Sequence, residues 1–561
     1  MKIRVADYIA NFLVENNIND IFVLTGYGAM YLNDAIAAKK ELHYYCARNE
    51  AASPMMAEAY ARVKGSVGAV CLTSGPGSTN AIPGLAEAWV DSAPVLIISG
   101  QVHKKHTTYN THIPGLRTLG TAEINIVPIV KPITKYAVMI NNPREIKFHL
   151  EKALFLAKNG RPGPVWLDIP HDVQSAMIEP DKLKSFKVPK QKKQEGKFKI
   201  EQVMKLLLAS KKPIIVAGHG IRQSNAIEDF KNLVDRLQVP VVLTRLGVDL
   251  LSYSHEFNMG LGGIKGTRYS LKILQSADLV IVLGARLAIP FVGLNREAFS
   301  GKTKIIVVDI EKGELAKQNV KIDLKIHADV AIFIRKFMQK LSGNSFPEWK
   351  VWTTACKKLK KNNPMITGGM KRNPIDLYYF ISRLDAVSGK NNILVTDAGS
   401  NYYVGGQVFN FEECKREITS ATFAAMGLSI PLAIGASIAE KKFQILAITG
   451  DGSLELNIQE LKTMSYYNLN IKLFVINNNG YLSMRKWQDT YFEGRRIGSD
   501  DDTGAETLNL KRVAVAFDLE YHIISDWKRI DENLKKIMQE KGPAFVEVVC
   551  DDRQEIVEPL T

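Results

Sequence analysis

The stretch FQILAITGDGSLELNIQELKTMSYYNLNIKLFVINNNGYLSMRKW (443–487) decides the fold. Two apolar runs, Ile445–Ile448 and Leu473–Ile476, read as parallel strands. Each ends in a tight turn: Gly450-Asp451-Gly452-Ser453 and Asn477-Asn478-Asn479-Gly480. The 27 residues from Asp451 to Asn478 hold one helix and one strand, which is a single βαβ crossover. Both turns therefore lie on the carboxyl edge of one sheet, where ligands of α/β proteins bind. Asp451, the Asn478 side chain and a backbone carbonyl near Gly480 form an oxygen donor set for a hard divalent cation with open positions. Gly452 lets the backbone approach a diphosphate, and Ser453 can donate to it at a helix N-terminus.

Working outward, the same strand–turn–helix rhythm fills the chain. Strands are expected at Asp20–Leu24, Leu42–Cys46, Val67–Thr73, Pro94–Ser99 and Pro164–Ile169. A second unit has Pro213–Ala217, Val239–Leu243, Leu279–Leu283 and Lys304–Val308, and a third adds Ile393–Thr396 and Ala544–Val549. The fold class is α/β, with three doubly wound parallel-sheet domains. Their expected bounds are 1–185, 199–342 and 373–561. Charged stretches at Lys187–Lys199 and Ser342–Arg372 read as linkers.

With 561 residues, 46% of them hydrophobic, the chain is too long for one core and too apolar for disorder. Its five cysteines show no CxxC spacing, so neither a disulfide framework nor a zinc site is expected. The formal charge of +15 reads as a lysine-rich surface rather than a nucleic-acid module, because no basic run is interleaved with aromatics. Neither a spanning segment nor a signal peptide is legible, and a soluble cytoplasmic protein is the expectation.

GDG, 24 residues (453–476), then NN resembles the signature of thiamine diphosphate enzymes. The likeness extends over the whole chain, to the acetolactate synthase-like group. It implies an N-terminal pyrimidine-binding domain, a central domain that often holds FAD, and a C-terminal diphosphate-binding domain. Arg48-Asn49-Glu50 before AASPMMAEAYAR resembles the family's glutamate motif. Glu50 is then the catalytic carboxyl that bonds the aminopyrimidine ring, and Gln101 in ISGQV resembles an active-site glutamine. The likeness assigns cofactor contacts to Gly26, Gly75, Gly399, Ser400, Asn401, Met426, Gly452, Ser453, Gly480 and Tyr481. Met426 is the apolar wedge that bends the cofactor. Magnesium falls to Asp451, Asn478 and Gly480. GHGIRQS (218–224), LTRLG (243–247), GLGGIKG (260–266) and GAR (284–286) resemble flavin contacts, so a structural FAD is expected.

The implied activity is decarboxylation of a 2-oxo acid, pyruvate foremost, and transfer of the two-carbon unit to an acceptor carbonyl. A homodimer or homotetramer is implied, with no nucleic-acid or membrane partner. The chain departs from the family at Thr121-Ala122 before Glu123, at the long segment HKKHTTYNTHIPGLRT (103–118), and at His171, where the family carries lysine. These positions surround substrate in the family. The alternatives are therefore a nucleotide-linked keto-sugar acceptor, a plain 2-oxo acid decarboxylase, and a non-catalytic nucleotide- or flavin-binding paralogue.

Overall fold

The computed structural model describes residues 1–189, 198–294, 301, 303–341 and 347–560. Three six-stranded parallel sheets carry the chain. The N-terminal sheet comprises β1 (Asp20–Val23), β2 (His43–Cys46), β3 (Gly68–Leu72), β4 (Val95–Gln101), β5 (Tyr136–Met139) and β6 (Val165–Pro170). The central sheet comprises β7 (Pro213–Ala217), β8 (Val241–Leu243), β9 (Asn258–Leu261), β10 (Leu279–Leu283), β11 (Lys304–Asp309) and β12 (Leu324–His327). The C-terminal sheet comprises β13 (Asn392–Thr396), β14 (Lys415–Ile418), β15 (Gln444–Gly450), β16 (Ile471–Asn477), β17 (Glu520–Ile524) and β18 (Ala544–Val549). A short antiparallel ribbon pairs Ile3–Arg4 with Met177–Ile178.

The outer sheets share one topology. Their orders are β2-β1-β3-β4-β6-β5 and β14-β13-β15-β16-β18-β17. The central sheet runs β9-β8-β7-β10-β11-β12, the order of dinucleotide-binding folds, with its switch point between β7 and β10. Interior strands are continuous apolar runs, as burial on both faces requires: PIIVA in β7 and LVIVL in β10 are buried throughout.

Besides the ribbon, five strands of the three large sheets lie beyond those expected: β5, β9, β12, β14 and β17. All are sheet edges. β12 alternates buried and exposed, and β17 (EYHII) is mostly solvated, so neither carries an apolar run. The stretch 342–372 is also more than a linker. Past residues 342–346, which lie outside the described residues, Lys350–Asn362 is a helix that buries Trp352 and Cys356. Trp352 Nε1 donates to the Pro213 carbonyl at 3.0 Å, fixing the helix to β7. Of the stretch 187–199, residues 190–197 lie outside the described residues.

The outer domains meet through two helices. Ala52–Lys64 is alanine-rich and almost wholly buried, and Ser429–Ala439 is buried along its length. Small side chains let the backbones approach closely: a Cβ on Gly435 would lie 2.0 Å from the Met56 carbonyl oxygen. One hydrophobic cluster continues through both domains. Among the described residues no helix is long and apolar enough to cross a membrane.

Candidate active site

β15 and β16 pair in parallel with Gly450 opposite Ile476, so their turns are neighbours at the carboxyl edge. Asp451 gathers both turns. Its Oδ1 accepts from the Gly452 N–H at 2.8 Å; its Oδ2 accepts from the N–H groups of Asn478 and Gly480, each at 3.0 Å. Burial pushes the carboxyl pKa up, and the three N–H donors pull it back. A cation beside it would add to that pull. The Asn478 amide is buried and makes no hydrogen bond among the described residues. The Gly480 carbonyl accepts from Leu482 N–H at 3.0 Å and keeps a second lone pair. One carboxylate, one amide oxygen and one carbonyl make a hard-oxygen set suited to Mg²⁺.

Two residues that the sequence did not single out organise this edge. Asp397, at the end of β13, is buried and accepts from Ala398 N–H, Asn401 Nδ2, Thr449 Oγ1 and Ser453 Oγ at 2.6–3.0 Å. It thereby joins the 398–401 turn to the 449–453 turn. Arg485 donates to the carbonyls of Asn478 (2.7 Å) and Asn479, and so fixes the second turn from behind. Both act through partners distant in sequence, which spacing alone does not reveal.

The cofactor candidates divide by what their neighbours do. Gly399 adopts φ +72°, and a Cβ there would meet only Ser483 Oγ at 3.9 Å, so the backbone faces open space. Ser400 opens the nine-residue helix Ser400–Val408, and Asn401 Oδ1 is buried without a hydrogen-bond partner. An open glycine and the N–H groups of a helix N-terminus fit a phosphate-bearing group, whereas the orphaned Asn401 Oδ1 is an acceptor and its Nδ2 is already bonded to Asp397. Ser453 differs from expectation, because its hydroxyl is engaged: it donates to Asp397 and accepts from Gly427 N–H at 2.8 Å. Only its backbone remains for a phosphate. That bond also holds the bend beside half-buried Met426. Gly452 is bare because the Tyr481 ring would lie 2.4 Å from a Cβ.

On the N-terminal domain, Glu50 is half-buried and accepts from Asn80 Nδ2 at 2.9 Å. A Cβ on Gly77 would lie 3.4 Å from Glu50 Oε1. Gly26 abuts Thr73, and Gly75 yields to the Ala122 carbonyl, 2.3 Å from a Cβ there. Both are close packing rather than open cradle. Gln101 does not join Glu50. It is 1% exposed, its Nε2 donates to the Ile124 carbonyl (2.8 Å) and Asp168 (3.1 Å), and its Oε1 accepts from Val102 N–H. Asp168 thus holds the amide in the domain interior.

The departing segments come together. The His171 ring stacks on Tyr27 at 5.1 Å and meets Tyr31 at 4.8 Å, while its Nε2 is buried without a partner. Burial lowers its pKa. The 103–118 segment is fastened alongside, with Lys104 N–H donating to Asp172 at 2.9 Å. Glu123 closes it by accepting from the Thr108 N–H and hydroxyl at 2.8 and 2.7 Å.

The four glycine-bearing stretches of the central domain line one cavity of about 320 Å³. It opens between the ends of β7 and β10, and Arg245, Arg286 and Asp309 stand in its wall. Arg245 pairs with Glu417 and lies 4.5 Å over the Tyr402 ring, tying this wall to the C-terminal site. Asp309 is pushed up to about 6 by burial.

Comparison with known proteins matches the chain domain by domain. Residues 3–119 match the N-terminal TPP binding domain of thiamine pyrophosphate enzymes, 200–337 their central domain, and 397–548 their C-terminal TPP binding domain. The acetolactate synthase large subunit of Lactococcus lactis is 31% identical over 97% of this chain and 92% of its own length. The isozyme 1 large subunit of Escherichia coli is 29% identical, covering 98% and 94%. A chloroplastic acetolactate synthase of Nicotiana tabacum is 27% identical, covering 98% and 82%. The chain belongs to the thiamine pyrophosphate enzyme family, among relatives of the acetolactate synthase large subunit.

Proposed function

We propose that this thiamine diphosphate-dependent enzyme decarboxylates a 2-oxo acid, pyruvate foremost, and joins the two-carbon unit to an acceptor carbonyl, as the name of its relatives suggests. The supporting observation is a near full-length likeness to acetolactate synthases in a chain whose Glu50, Asp451 and Asn478 stand in motifs that resemble the family's. Bound thiamine diphosphate supplies the electron sink for loss of carbon dioxide. The protein's part is positional. Asp451, Asn478 and the Gly480 carbonyl hold Mg²⁺; Gly399, Ser400 and Asn401 receive the diphosphate; Met426 wedges the cofactor from the apolar side. Glu50 shares a proton with the pyrimidine ring, which needs a carboxyl screened from water. Glu50 is only half-buried in the single chain, and a second subunit in a homodimer or homotetramer would complete its screen.

FAD in the central cavity is the second part of the proposal. Strand order, the switch-point position and the close approach of Gly220 to Gly284, 2.8 Å from a Cβ, suit a dinucleotide. Its role would be structural, since the reaction needs no net redox. A flavin absorption band in the purified protein tests this.

The acceptor stays open to a second reading, a nucleotide-linked keto-sugar. The segment 103–118, with its lysines, arginine and histidines beside the His171 stack, favours it. The test is incubation with pyruvate, thiamine diphosphate and Mg²⁺, with products read by NMR, alone and with keto-sugar nucleotides. Acetolactate without added acceptor supports the first reading and sinks the second. Free acetaldehyde as sole product means a plain decarboxylase, and no loss of pyruvate removes pyruvate as donor. A cytoplasmic setting suits these substrates.

A further inference from the structure

The peptide that delivers Glu50 is held from across the domain boundary. Arg48 and Asn49 N–H both donate to Glu460 Oε1, at 2.8 and 2.9 Å, and Cys46 N–H donates to the Tyr467 hydroxyl at 2.8 Å. Glu460 is fully buried, and its second oxygen accepts from Thr463 Oγ1 at 2.7 Å. Glu460 opens the helix Glu460–Tyr466, Thr463 lies within it, and Tyr467 caps it. That helix follows the Asp451 turn after one short helical turn, Glu455–Asn457. Within its own domain, Glu50 is held at the start of the Ala52–Lys64 helix, its carbonyl accepting from Ser53 N–H at 3.3 Å. Two successive N–H groups bound by one carboxylate oxygen fix two peptide planes with charge-assisted bonds. The planes so fixed are those just before Glu50.

We infer that Glu460 is a positioning residue that sets the placement of the Glu50 carboxyl. It ties that placement to the run of structure that begins at Asp451. The inference rests on the catalytic role proposed for Glu50. A residue serving only as domain adhesive would lower stability without separating kcat from cofactor binding; a positioning residue separates them.

The test uses the full chain. Hydrogen exchange of the 46–53 peptide is measured without cofactor, and pyruvate turnover with thiamine diphosphate and Mg²⁺. Glu460→Ala is expected to speed exchange at Arg48 and Asn49. It should lower kcat about 10–100-fold while the Kd for thiamine diphosphate and the KM for pyruvate stay within about twofold. Glu460→Gln, whose amide oxygen can still accept both N–H groups, should recover most of kcat. Unchanged kcat in Glu460→Ala overturns the inference, as does a loss of kcat with cofactor affinity at unaltered exchange. If the alanine variant does not fold, Glu460→Asp decides: shortened by one methylene, it must lower kcat at unaltered cofactor affinity, and wild-type turnover overturns the inference. Separately, Glu50→Gln with wild-type turnover would remove the role of Glu50 itself.

Discussion

The two outer domains share a strand order and differ in how their carboxyl edges are built. The C-terminal edge is densely bonded. Asp397 and Asp451 collect seven N–H and O–H donors between them, and Arg485 holds the carbonyls behind. The N-terminal edge is bonded at its base, where Gln101 and Gln174 hold the strand ends, and open at its rim. Tyr27 is 71% exposed, His171 keeps an orphaned Nε2, and the 103–118 segment rests on a few bonds to Asp172 and Glu123. A heavily bonded edge holds one arrangement, as anchoring a fixed cofactor requires. A sparsely bonded edge can vary in sequence without unfolding, as a change of acceptor requires. The motifs that resemble the family's metal set lie at the first edge, and the positions that depart from the resemblance lie at the second.

Four measurements would break or sharpen that contrast. The largest effect belongs to Asp451→Ala, which should weaken Mg²⁺-supported thiamine diphosphate binding at least about 100-fold in a calorimetric titration. A small loss would show that the dense edge is only scaffold. Next is Gly399→Ala, which forces a side chain into φ +72°. A cost of about 2 kcal/mol, some thirtyfold in cofactor Kd, is expected, with no change in acceptor preference. At the open edge, His171→Lys should shift the KM for acceptor about tenfold and leave cofactor affinity alone. A change in cofactor affinity instead would erase the division between the edges.

The smallest effect lies where the two domains meet. Glu58, Glu87 and Asp91 are buried around Arg62, and burial raises all three carboxyl pKa values. The folded state then holds protons that the unfolded chain releases above about pH 4.5. Its stability therefore falls as pH rises past the ordinary carboxylate range toward the raised folded values. Glu87→Gln should flatten that decline by about 1 kcal/mol, roughly 2 °C in Tm at alkaline pH. A steeper decline in the variant would mean that Glu87 is ionised in the fold.

Interior strands were legible because a strand buried on both faces must be apolar throughout. The five unread strands are edges: Glu520–Ile524 carries charge and a histidine, and Asn258–Leu261, though buried, is broken by Asn258 and Gly260 and shows no apolar run. The helix Lys350–Asn362 was hidden by its lysines, since only Trp352, Thr353 and Cys356 face inward. At the site, Asp451 and Asn478 were legible because the crossover fixes their spacing. Asp397, Arg485 and Glu460 were not, because each acts on backbone groups or hydroxyls brought near only by folding. Gln101 stands at a strand end as expected, but its bond to Asp168, which turns the amide inward, could not be read from spacing.

The shared strand order also bears on ancestry. Glu50 follows β2, and Met426 follows β14, the second strand of its own sheet. Gly26 and Gly399 both follow first strands, and Gly75 and Asp451 both follow third strands. The helices packed at the domain boundary, Ala52–Lys64 and Ser429–Ala439, are likewise counterparts. The chain reads as one ancestral unit copied and set face to face with itself. On the proposed roles, one copy carries the acid, Glu50, and the other the metal set at Asp451 and Asn478, so the reaction draws on both.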